Sequence, residues 1–365
     1  MANKVTGSND TTGALSIAPS APKSVMIIGK SSVPSDDVER NKITSITGTT
    51  DTINIFGSDS IVVSMVKILI MGGVNNINAI VVDIPEQGSM TDEEYKVAVS
   101  DAYDNALMAS MDDNTVKVVL LDTNKCIEQM KTHLALCESN DMFRYSVILP
   151  DNDAVKSQSD YISYAKTIDD DRIFTAGTAI IDKTTAKEVD PVLGAAGLGA
   201  VIMTETSDPA LPLNGVQIKG FGGVVRKMLD SEKNMLANNG VTPLYTEGSM
   251  PTIFRLVTTN VSDKVWQEGT TRFIADHVLE SVENTLRASY KRTKNVSRIL
   301  GDTGIRGTVK SVLQTMNDLE IIENFDESTL TVIKDPNDMY GALVDYEIDV
   351  VTPLYTITIS QHIKL

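Results

Sequence analysis

The chain has 365 residues, 42% of them hydrophobic and 22% charged, with a formal charge of −17. That length supports about two domains with cores of their own, and the composition is that of an ordinary globular protein. The acidic balance argues against nucleic acid and anionic membrane as partners, and no apolar run approaches the roughly 18 residues of a membrane span.

Residues 1–22 lack the charged start and apolar core of a secretory signal, so synthesis and assembly are expected in the cytoplasm. They are rich in Thr, Ser, Gly, Asn and Ala, contain Pro19 and Pro22, and show no helical periodicity, which reads as an extended arm with Leu15 and Ile17 as its larger apolar pair. The bland alternative for such an arm is simple disorder. From Ser24 the pattern changes, giving strands at 25–29 and 52–56, a helix at 58–71 closed by Gly72 and Gly73, and a strand at 78–84. Thr91 and Glu94 make a capping box for a helix running to about Ser110.

Strands at 116–121, 145–149, 172–176 and 200–204 then alternate with helices at 124–138, 154–167 and 185–197. This alternation is the one-dimensional image of a mostly parallel sheet covered by helices, an α/β domain. After a Pro- and Gly-rich loop at 207–221 come a helix at 223–239 ending at Gly240, a strand at 253–259 and a long helix at 263–293. Ile274, Val278, Val282, Leu286 and Tyr290 recur on one face of the long helix. A helix at 308–319 and a strand at 330–333 make the remainder α+β. The expected division is an N-terminal arm at 1–22, strands and a helix at 23–90 packing with the C-terminal domain, a middle α/β domain at 91–250, a C-terminal α+β domain at 251–352 and an arm strand at 353–365.

The last twenty residues read as two amphipathic strands in succession. Val344, Tyr346, Ile348 and Val350 alternate with Asp345, Glu347 and Asp349; beyond Pro353, Tyr355, Ile357, Ile359, Ile363 and Leu365 alternate with Thr356, Thr358, Ser360, His362 and Lys364. Pro353 lacks an amide proton and fixes φ, so it breaks the ladder and acts as a hinge. The second strand either folds back on its own domain or completes a sheet in a neighbouring copy.

Catalytic patterns are sparse. His133, His277 and His362 stand in no metal-ligand or triad spacing, Cys126 and Cys137 read as reduced and buried, and no Gly-Lys-Ser/Thr follows Gly194, Gly197 and Gly199, which read as helix-packing positions. Asp335, Asn337 and Asp338 fall out of calcium-loop register and read as a turn, and Asp169, Asp170 and Asp171 as a solvated run. No catalytic residue, metal or cofactor is assigned. The one charged feature above background is the cluster Arg287, Lys291, Arg292, Lys294, Arg298, Arg306 and Lys310, set against the single acid Asp302. It suggests an acidic partner surface, or acids elsewhere in the fold that balance it.

Residues 172–179 (RIFTAGTA), 239–244 (NGVTPL) and 254–259 (FRLVTT), followed by the closing helix-helix-strand-strand order, resemble the sheath proteins of contractile phage tails, R-type bacteriocins and related injection machines. The likeness covers most of the chain, without the large insertions of long phage sheaths. It implies a non-enzymatic subunit whose N- and C-terminal arms add strands to a third subunit's sheet, in stacked helical rings around an inner tail tube that contraction drives through a target envelope. It implies the tube, baseplate and tail terminator proteins as partners in a released virion or extracellular particle, with Lys291, Arg292, Lys294 and Arg298 facing the tube. A non-contractile filament or shell sharing only strand exchange is the alternative, and an α/β enzyme a more distant one.

Overall fold

The computed structural model describes residues 22–34, 36–291, 293, 297–338 and 340–355. They divide into a larger unit within 21–273 that regains the chain at 352, and a smaller unit at 274–351.

The larger unit is built on β1 (Ser24–Gly29), every residue of which is buried. A strand covered on both faces reads as an unbroken apolar run, and the sequence SVMIIG obeys that rule. After it come β2 (Ile43–Ile46), α1 (Thr49–Phe56), α2 (Ile61–Gly72), β3 (Ile77–Val81), α3 (Asp92–Ser110), β4 (Val116–Leu121), α4 (Ile127–Glu138), β5 (Tyr145–Val147), α5 (Gln158–Ile168) and β6 (Ile173–Phe174). The sheet order is β2-β3-β1-β4-β5-β6, with β2 antiparallel and the rest parallel. Residues 23–90, set apart from the middle domain in the sequence reading, supply β1, β2 and β3 to its sheet. Alternate side chains serve two cores: Val25, Ile27, Val118 and Leu120 cluster with α2 residues such as Met65 and Leu69, whereas Met26, Ile28, Val119 and Leu121 cluster with Tyr103 and Leu107 of α3 and Met130 and Leu134 of α4. The architecture is α/β, doubly wound.

The chain continues through β7 (Ile180–Asp182), α6 (Pro191–Glu205), β8 (Phe221–Val224), α7 (Asp230–Ala237), β9 (Leu244–Glu247), β10 (Met250–Ile253), α8 (Lys264–Gln267) and α9 (Gly269–Tyr290). Asp190 caps α6 by accepting from the Val192 amide, with Pro191 in the first turn. The helix then packs through small residues. A Cβ on Gly197 would come within 2.5 Å of Phe221, one on Gly72 of α2 within 2.5 Å of Ala200, and Gly199 lies on Leu120.

Several expected elements differ. Residues 52–56 belong to helix α1, which buries Thr52 and Phe56 four apart rather than on alternate positions. The apolar run 200–204 is the end of α6, since a short buried run has no period of its own to separate strand from helix. The helix placed at 223–239 is β8 followed by α7, and the strand at 253–259 ends as a ladder at Ile253, leaving isolated bridges at Val257 and Thr258. The helix placed at 263–293 breaks at Glu268, which is extended (φ −76, ψ 120).

In the smaller unit α9 buries Ile274, Val278 and Val282. After it come α10 (Ile305–Asp318), β11 (Ile322–Glu323), β12 (Thr331–Lys334), β13 (Ala342–Asp345) and β14 (Asp349–Val350). The Tyr290 and Thr308 hydroxyls meet at 2.7 Å and join α9 to α10. The strand expected across 344–350 has the anticipated faces, with Val344, Tyr346, Ile348 and Val350 half-buried and Asp345, Glu347 and Asp349 exposed. Its ladder is nonetheless divided: β13 pairs with β12 and β14 with β11.

Candidate assembly surfaces

The break between α8 and α9 places a carboxylate. Gly269 donates its amide to the Leu256 carbonyl and Thr258 donates to that of Gln267, so 267–269 lie along 256–258 instead of continuing a helix. Glu268, 8% exposed, accepts from Arg255 Nε at 2.9 Å and Nη2 at 2.8 Å on one oxygen. On its other oxygen it accepts from the Tyr355 hydroxyl at 2.6 Å and the Thr270 hydroxyl at 3.4 Å. The Arg255 guanidinium stacks 4.8 Å from the Tyr355 ring centroid. Burial, and then the charge of Glu268, push the Tyr355 hydroxyl's pKa far up, so it stays a donor. Tyr355, read as part of the intersubunit strand, is held within its own larger unit. Leu354 beside it is 71% exposed and Pro353 half-buried. Ile357, Ile359, Ile363 and Leu365 lie outside the described residues, as do Leu15 and Ile17.

The smaller unit presents a two-stranded hairpin. β12 and β13 pair antiparallel with Ile333 opposite Leu343 and Val332 opposite Val344. Ile333 is 52% and Leu343 49% exposed, while Val332 and Val344 are half-buried. Among the described residues neither strand has a partner on its outer edge. The tip is a turn in which Asp335 accepts from the amides of Asn337 and Asp338, and Asp338 from that of Tyr340.

The three sequence stretches of the family resemblance meet in the larger unit. Thr242 donates its amide to the Thr175 carbonyl at 2.9 Å, Gly177 to that of Thr242 at 3.0 Å, and Thr259 to that of Ile173 at 2.8 Å. Thr242 Oγ1 accepts from the Val257 amide and donates to its carbonyl. Gly240 (φ +76) makes the turn, and a Cβ there would lie 2.9 Å from the Thr259 carbonyl oxygen. Residues 96–259 match the phage tail sheath protein central domain, and residues 261–364 the phage tail sheath C-terminal domain.

The chain belongs to the phage tail sheath protein family.

No curated protein matches this sheath protein by sequence. Its fold is that of the helical sheath of the anti-feeding prophage in the contracted state, with a TM-score of 0.68 and 13% identity over 99% of each chain. The sheath complex of an extracellular contractile injection system, PVC, also in the contracted state, gives 0.67 and 12% over 99% of this chain and 97% of that one. A sheath tail protein from Listeria innocua gives 0.67 and 10% over 93% and 94%. The protein is a structural sheath subunit.

The basic cluster of this sheath subunit is smaller in space than in sequence. Lys310 pairs with Glu327 at 2.5 Å, and Arg306 with Glu327 at 3.1 Å, with Asp302 and with the Leu330 carbonyl at 3.3 Å. Glu327 lies outside the stretch of sequence counted. Arg287 reaches Glu283 at 3.7 Å. Lys291 is exposed; Arg292, Lys294 and the Arg298 side chain lie outside the described residues.

Several other polar groups singled out in the sequence are held within the packed interior or its hydrogen bonds. His133 lies against Arg144 and Cys137, and burial followed by the Arg144 charge lowers its pKa to about 3. Cys126 and Cys137 are free and buried, with Cys126 pushed up to about 11 by burial. Asp169, Asp170 and Asp171 are tied into the fold, only Asp169 being exposed: Asp169 accepts from the amides of Val261 and Ser262, Asp170 from that of Arg172, and Asp171 pairs with Arg272 at 3.0 Å. Doubly wound sheets bind ligands where the strand order reverses, here between the ends of β1 and β4. That position is filled by Asp122, which accepts from the Lys30 amide and the Tyr103 hydroxyl.

Proposed function

We propose that this protein is a non-catalytic subunit of a contractile sheath that polymerises by exchanging strands between copies. The 353–365 segment, and with it the 1–22 arm, would complete sheets in neighbouring subunits. The observation that carries this reading is the β12–β13 hairpin, whose outer edges are unpaired among the described residues and whose face exposes Ile333 and Leu343. An isolated hairpin is marginally stable in water, and added strands with apolar faces supply what it lacks. Burying the four apolar side chains beyond Tyr355 is worth about 6–12 kcal/mol at most, against an association cost of about 4–15 kcal/mol. One arm alone therefore hardly decides assembly; two arms make later contacts effectively intramolecular and favour a cooperative polymer. Head-to-tail contacts that do not close give a helix.

The same reading assigns Lys291, Arg292, Lys294 and Arg298 to the inner tube, and the baseplate and tail terminator to the two ends. Assembly takes place in the bacterial cytoplasm, before release in a virion, an R-type bacteriocin or an injection particle. Deleting residues 353–365 is the test. Folded subunits that no longer polymerise are expected, whereas normal tubes from the truncated chain defeat strand exchange.

A further inference from the structure

The pair formed by Arg255 and Glu268 is more than a structural ion pair, because it holds Tyr355 near the start of the 353–365 segment read as the exchanged strand. The chain passes out of the larger unit within α9 and returns to it at 352. On return it is caught at once: Tyr355 donates to Glu268, the residue immediately before α9 begins. Thr352 and Leu354 on either side of Pro353 are exposed, so the catch is made by Tyr355 and not by general burial of the segment. Apart from Tyr355, the carboxylate accepts two bonds from Arg255 on one oxygen and a longer one, 3.4 Å, from Thr270 on the other. The Arg255–Glu268 ion pair is thus made by groups other than the tyrosine.

We infer that Arg255 and Glu268 form an own-subunit seat for Tyr355 that fixes where the donated strand begins and which face it presents. This rests on the strand-exchange reading and deepens it. Side chains of a strand alternate with period two, so a slip of one residue would turn Ile357, Ile359, Ile363 and Leu365 to the wrong face of the acceptor. Pinning Tyr355, which shares their parity, removes that freedom before the neighbour is met. The seat also replaces part of the ordering cost of a loose arm with a contact made in advance. Tyr355 is thus a positioning residue of the donor subunit, and the exchanged segment starts at 356.

The test uses full-length protein. In soluble subunits, Tyr355→Phe removes one hydroxyl from a bond to a charged carboxylate, and chymotryptic cleavage after positions 354 and 355 is expected to rise about tenfold; an unchanged rate overturns the seat. Glu268→Gln, which keeps the side chain's shape, is expected to raise the same cleavage. In assembly, Tyr355→Ala is expected to lengthen the lag and yield polymers of mixed lattice by electron microscopy, while the subunit stays folded and melts cooperatively. Parent-like polymers at the parent rate overturn the proposal. A chain truncated after Tyr355 separates the two readings. If it polymerises normally, strand exchange fails whatever the seat does; if it does not, while Tyr355→Ala assembles like the parent, only the seat fails.

Discussion

Arg144 donates through Nη1 to Nε2 of His133 at 3.1 Å, and both side chains are buried beside Cys137. A guanidinium that must donate requires a neutral imidazole, and burial enforces the same state. The unfolded chain takes up a proton on this histidine near pH 6.5, which the native chain refuses until about pH 3. Its contribution is complete above pH 6.5 and is lost as pH falls below it, at about 1.4 kcal/mol per pH unit. In urea melts between pH 7 and pH 4, His133→Gln is expected to show a slope shallower by about that amount; parallel slopes would exclude His133 as the titrating group.

The hairpin is expected to separate folding from assembly. Ile333→Asp and Leu343→Asp alter side chains that are about half exposed, so the cost to subunit stability should stay within about 0.5 kcal/mol. Polymer yield, followed by sedimentation, should fall sharply in both. Full polymerisation of both variants would remove this face from the assembly contact.

Charge reversal addresses the tube. Lys291→Glu, Arg292→Glu and Lys294→Glu combined are expected to weaken co-sedimentation with purified tube, most at low salt, while sheath self-assembly persists. Equal tube binding at low and high salt, in parent and variant, would take these residues off the interface.

Packing on α6 is tested at Gly197, where a Cβ would meet Phe221 at 2.5 Å and Ile218 at 2.8 Å. Gly197→Val is expected to destabilise the larger unit by about 1–3 kcal/mol in a denaturant melt, through displaced neighbours. A neutral result would mean that β8 yields without strain.

The amino-acid sequence determined those features whose causes are local. The capping box of Thr91 and Glu94 is present as expected, with both reciprocal bonds, the glycines of α6 do face packed side chains, and the period-two faces of 344–350 hold even where the ladder divides. The order of strands and helices from 91 to 176 was legible for the same reason, as was the family, whose motifs are contiguous.

Tertiary structure decided what depends on partners distant along the chain. Glu268 lies inside an apparently continuous helical pattern, and only pairing with 256–258 and the charge of Arg255 pull it out; Gly269 beside it was the one local signal. Glu327 engages two of the seven basic residues, Arg306 and Lys310, from beyond the window in which the cluster was counted. Residues 23–90 enter the central sheet because β1 finds β3 and β4, and no local period encodes which sheet a strand will join. Charges and ladder edges act through space, so the seat of Tyr355 became visible only once residues 87 positions apart were brought to hydrogen-bonding distance.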